Sequence, residues 1–134
     1  MGRSGFALLV AMWASSQPPA VKYVPPENIP AANGPEMFRT YCAVCHGTDG
    51  RGGGPAADFL KKRPADLTQL SRKNDGKFPA SRVANVIQGR DVVADHGSRD
   101  MPIWGSVFRV LGDSATVEMR IQNLTAYLRS IQRQ

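Results

Sequence analysis

Two thiols and an imidazole crowd into one pentapeptide, Cys42-Ala43-Val44-Cys45-His46, which holds both cysteines of the chain and one of its two histidines. On a helical turn, side chains three positions apart share a face. Both sulfurs can then reach the two vinyl groups along one porphyrin edge and add to them as thioethers. The next residue offers its imidazole to the iron from beneath the ring. C-x-x-C-H is the attachment sequence for c-type haem, and this spacing suits that chemistry. Competing uses fit worse. A thioredoxin-like C-x-x-C follows a strand in a βαβ unit, whereas the flanks here read as helix. A zinc site would draw on Cys42, Cys45, His46 and His96, but a His abutting a Cys matches no finger spacing.

An iron held by His46 needs a second axial ligand or keeps an open site. Met37 lies just before Cys42 on the same helix and cannot reach the opposite face of the ring. Met119 falls inside a C-terminal helical pattern. Met101 sits in Asp100-Met101-Pro102-Ile103-Trp104-Gly105, where Pro102 stops a helix and biases Met101 toward an extended backbone. Its thioether can then point inward from a loop, so His46 and Met101 are the expected iron ligands. The rival is His96, in the polar turn His96-Gly97-Ser98-Arg99; two imidazoles would give a lower reduction potential.

These groups need elements to carry them. Gly34, Phe38 and Cys42 fall at every fourth position of a helix leading into the pentapeptide. A short helix is expected from Ala56 to Lys62, ended by Pro64, with Asp66 or Thr68 capping the next turn. Residues 81–89 read as a helix with Val83, Val86 and Ile87 inward and Gly89 as its stop. A last helix opens at Asp113 or Ser114 and carries the stripe Val117, Ile121, Leu124, Leu128 and Ile131.

The chain of 134 residues has room for one domain, and two cysteines exclude disulfide-dense scaffolds and four-thiolate clusters. No run of about 18 apolar residues occurs. Residues 1–16 have the make-up of a secretory signal peptide, with Arg3, a short apolar stretch and small residues at the end; an uncleaved anchor is the alternative. Residues 17–33 form a Pro-rich arm, either a linker or a strap packed through Tyr23, Val24 and Ile29. Residues 34–134 are the domain. A net charge of +6 favours acidic partners or an anionic membrane surface. Nucleic acid is not expected, because no binding motif or aromatic-basic platform accompanies that charge.

Taken in order, these motifs resemble the monohaem class I cytochromes c of the bacterial exported kind, over about residues 34–134. Leu124-Thr125-Ala126-Tyr127-Leu128 matches the L-x-x-Y-[LI] of the family's last helix. The resemblance implies a small all-α domain wrapped round one covalently attached haem, with Gly34 and Phe38 meeting Leu124 and Tyr127 where the first and last helices cross. Similar Met-Pro-x-Trp-Gly loops carry the distal ligand in relatives, which supports Met101. In the family, a Pro carbonyl after the attachment motif accepts the N–H of the axial imidazole, which points to Pro55 in Gly54-Pro55-Ala56. Pro64-Ala65-Asp66-Leu67-Thr68 would shape the loop along the propionate edge, Arg63 would pair with a propionate, and Trp104 would pack on the haem rim. The implied function is that of an electron carrier using haem c and its iron, exported to the periplasm, monomeric, and meeting redox proteins with acidic docking surfaces. The alternatives are a haem subunit of a larger respiratory or dehydrogenase complex, and a peroxidase-like enzyme in which Met101 leaves the iron.

Overall fold

The computed structural model describes residues 25–91 and 101–133. The proposed leader, Tyr23, Val24 and His96 lie outside them. Among the described residues every regular element is helical. The first stretch runs without a break through α1 (Gly34–Met37), a π-helical turn (Phe38–Cys42) and α2 (Ala43–His46). Asn33 starts it, its side-chain oxygen accepting from the Glu36 N–H at 3.1 Å. Three helices follow: α3 (Ala80–Gln88), α4 (Trp104–Leu111) and α5 (Ser114–Ser130).

The expected crossing of first and last helices is present. A Cβ at Gly34 would lie 2.5 Å from the Asn123 carbonyl oxygen, so only glycine lets α1 sit this close to α5. The Phe38 and Tyr127 rings meet beside it at 5.1 Å between centroids. Ile121, Leu124 and Leu128 of the α5 stripe are buried, joining Met37, Phe38 and Phe108 in one core. Asp113 opens α5 as expected, accepting from the Thr116 N–H at 2.8 Å.

Gly89 ends α3 in the left-handed region (φ 77°), and the Arg90 N–H reaches back to the Asn85 carbonyl at 2.9 Å. That closure matters for Met101. The next helix, α4, begins against the end of α3: a Cβ at Gly105 would meet the Gln88 carbonyl oxygen at 2.8 Å, and one at Gly89 would run into Ile103. Two glycines therefore fix where the Met101-Pro102 segment enters the fold.

Two readings are corrected. The helix expected over 56–62 is a single 3-10 turn, Ala57–Phe59, so Pro64 is not what ends it. Residues 104–111, of which only the first two were read, as part of a loop, form a helix with Phe108 fully buried. The arm is a strap over its described length. Ile29 is buried, the Tyr41 hydroxyl donates to the Glu27 carbonyl at 2.6 Å and accepts from the Ile29 N–H at 3.1 Å, and Asn123 Nδ2 donates to the Ala31 carbonyl.

Candidate haem site

The last turn of α2 exposes carbonyls that need donors. Gly47 takes a positive φ of 79° and its N–H returns to the Ala43 carbonyl at 2.9 Å. The chain then runs back along the helix end, and alternate N–H groups cap it. Gly52 donates to the His46 carbonyl at 2.7 Å, Gly54 to Cys45 at 3.0 Å and Ala56 to Val44 at 2.8 Å. A Cβ at Gly54 would stand 2.5 Å from the Ala43 and Val44 oxygens, while one at Gly52 would strike the Pro64 carbonyl. The glycine run lies between the pentapeptide and segment 64–65, touching both.

That packing brings the Ala65 carbonyl to 3.1 Å from His46 Nδ1. A carbonyl can only accept, so Nδ1 carries the proton and Nε2 is the basic nitrogen. The carbonyl given to this ring in the structure is therefore Ala65's and not Pro55's. Pro55 is exposed and absent from the cavity wall, because the Gly54-Pro55-Ala56 segment spends its backbone capping the helix.

One cavity gathers the rest. Cys42, Cys45 and His46 form part of its wall, and Met101, Trp104 and Arg63 contribute to the same wall. Tyr41, Leu60, Lys62 and Pro64 complete much of the remainder, and the lining is mainly apolar. Trp104 stacks at 5.4 Å on Tyr41 and 5.9 Å on Phe108. Arg63 and Lys62 are solvent-exposed residues of this wall, and Arg63 Nε donates to the Gly52 carbonyl at 3.5 Å. Burial pushes the Cys42 thiol up to about 12, with Cys45 adding in the same direction, so this sulfur stays protonated at neutral pH. The donor set of two thiols, an imidazole and a thioether around an apolar slot fits a c-type haem.

Tyr41 and Ala65 were not foreseen in these roles. Tyr41 abuts the first cysteine. Ala65 lies in the segment read as the propionate-edge loop, so its place was visible but its use was not. Asp66, next in line, fixes this loop: Oδ1 accepts from the Thr68 N–H at 2.9 Å and from the Thr68 hydroxyl at 2.6 Å. Burial pushes its carboxyl up, but those two bonds and the nearby Arg51 and Lys73 outweigh it and hold Asp66 below the usual range. A lowered carboxylate stabilises the fold above its unfolded-state pKa, and that contribution is lost as pH falls through the folded value. Asp66→Ala should cost about 1 kcal/mol or less at neutral pH, since the group is largely solvated. The difference from wild type should vanish in acid. Urea unfolding at neutral and acid pH checks this; a gap that persists unchanged in acid would contradict it.

A family model described as cytochrome c oxidase, cbb3-type, subunit III matches residues 30–128. The chain belongs to this family of c-type cytochromes. No curated protein and no solved structure matched it. The cytochrome family implies haem c with its iron and electron transfer rather than catalysis, and its members are usually exported or membrane-associated. Among the described residues no helix of this cytochrome is long and apolar enough to cross a membrane.

Proposed function

We propose that the protein carries single electrons on one haem c, bound through Cys42 and Cys45, with His46 and Met101 as axial ligands. The observation that carries this reading is that Met101, remote in sequence, shares one cavity wall with Cys42, Cys45 and His46 of the attachment pentapeptide. The bound haem supplies an iron that alternates between ferric and ferrous forms. The chain does the rest. Ala65 holds the His46 ring in one tautomer and orientation, Trp104 and Tyr41 line the cavity with packed rings, and Arg63 and Lys62 of the same wall would be the partners for haem propionates. With His46 and Met101 both held on the iron, no position would be left there for a substrate, as a carrier requires and the peroxidase-like alternative does not.

Exposed Lys61, Lys62 and Arg63 beside the cavity suit brief docking to acidic redox partners, with salt-dependent rates. Residues 1–16 act as an export leader in this reading and place a monomeric domain in the periplasm. A second reading, a fixed subunit of a larger respiratory complex, draws on the family's own description. The test is periplasmic expression with haem-ligation machinery, followed by intact mass and pyridine haemochrome analysis. One covalent haem per chain is expected, lost when Cys42 and Cys45 are both changed to Ala. A colourless product would end the proposal. Release from native membranes without detergent distinguishes a free carrier from a subunit.

A further inference from the structure

Arg120, on α5, is the only Arg, Lys, Asp or Glu buried among the described residues, at 2% exposure. No described carboxylate pairs with it. Its Nη1 donates to the Ile29 carbonyl and to Met37 Sδ at 3.7 Å, and its Nη2 donates to Asn28 Oδ1 at 2.6 Å. Nε has no hydrogen-bond partner. The guanidinium carbon lies 5.8 Å from the centroid of the Phe108 ring. Phe108 packs in turn on Tyr41 and Trp104, at 5.5 and 5.9 Å, and both line the haem cavity. A cation with no ion-pair partner among the described residues therefore sits one aromatic ring behind the cavity wall, its hydrogen bonds and ring contact being to neutral oxygens, a thioether and a π face. Filling the space does not call for a charge here, although the acceptors at Ile29 and Asn28 use its donors.

We infer that Arg120 raises the midpoint potential of the haem. The inference rests on the electron-carrier reading. Reduction takes one electron from the donor protein and converts ferric iron to ferrous, with no proton moved at Arg120. The ferrous site carries one positive charge fewer, so a buried cation nearby favours it. Arg120 is a positioning residue acting through its field. For a charge one ring layer away in a protein interior, the shift in the ferrous/ferric equilibrium is about tenfold, or about 59 mV for one electron.

Spectroelectrochemical titration of the haem-loaded full chain tests this. Arg120→Met should lower the equilibrium about tenfold toward ferric iron, and the shift should survive high salt, since buried charges are poorly screened. Arg120→Lys should stay within about threefold of wild type. Because Arg120→Met strips donors from the strap and could unfold it, Asn28→Asp gives an independent arm. It keeps the contact with Nη2 and adds a counter-charge, so the equilibrium should fall about threefold with no loss in thermal midpoint. Equal shifts in the Met and Lys variants, or an unmoved potential in Asn28→Asp, overturn the inference while leaving the carrier reading intact. A wild-type chain that binds no haem overturns both.

Discussion

Met101→His should lower the midpoint potential by on the order of 0.2 V, because axial ligand identity is the largest single lever on a haem potential and a thioether favours ferrous iron where imidazole does not. Met101→Ala should instead leave the iron open on one side, with a high-spin ferric spectrum and ready cyanide binding. Wild type should show a weak charge-transfer band near the red end of the ferric spectrum, absent in both variants. The fold is expected to tolerate the changes. Met101 is only half-buried, and its segment is anchored by Gly89 against Ile103 and by Gly105 against Gln88, not by the thioether. If both variants kept the red band and the wild-type potential, the thioether would have to come from another methionine, whereas a band missing from wild type as well would make His96 the next to test.

The chemistry was more legible in the sequence than the scaffold around it. C-x-x-C-H is read directly because its meaning lies in spacing along one turn. The α5 stripe and its Asp113 cap were legible for the same reason, being local and periodic. What failed was non-local. Pro102 and Gly105 are loop signals in sequence, yet Gly105 is glycine because α4 starts against the Gln88 carbonyl, a contact no local rule shows. Helix α4 also begins without a capping side chain at Ile103, so the usual start signal was missing. The family pattern pointed to the Pro55 carbonyl as the histidine's partner, but this chain uses Gly54 and Ala56 on either side as helix caps and supplies Ala65 instead. Arg120 was partly visible: it lies three positions after Val117 and four before Leu124, on the inward side of the stripe. A charged residue there reads as solvated until the strap acceptors at Asn28 and Ile29 are known.

The strap and the glycine run support the site from different sides, and the glycine run is the more brittle. Strap contacts come from flexible side chains and can relax. The contacts of Gly54 are backbone on both sides, with carbonyl oxygens of Ala43 and Val44 at 2.5 Å from where a Cβ would stand and the Cys45 carbonyl carbon at 2.7 Å.

Gly54→Ala is accordingly expected to be strongly damaging for a single added methyl. To admit it, the loop must lift from α2, which breaks the Gly54 bond to the Cys45 carbonyl and loosens those from Gly52 and Ala56. Overpacking against rigid backbone and stranded helix carbonyls together should cost on the order of 3 kcal/mol, a fall of roughly 10 °C or more in thermal midpoint for a domain of this size. The same lift withdraws segment 64–65 and with it the Ala65 carbonyl from His46, so the holoprotein should also show weakened axial ligation. Gly53→Ala is the matched control. Its Cβ would meet nothing nearer than an Arg63 guanidinium nitrogen at 3.7 Å, and it should leave midpoint and spectrum unchanged. Equal stability of the two variants would mean that the loop does not hold the helix end, and the account of how His46 is oriented would fall with it.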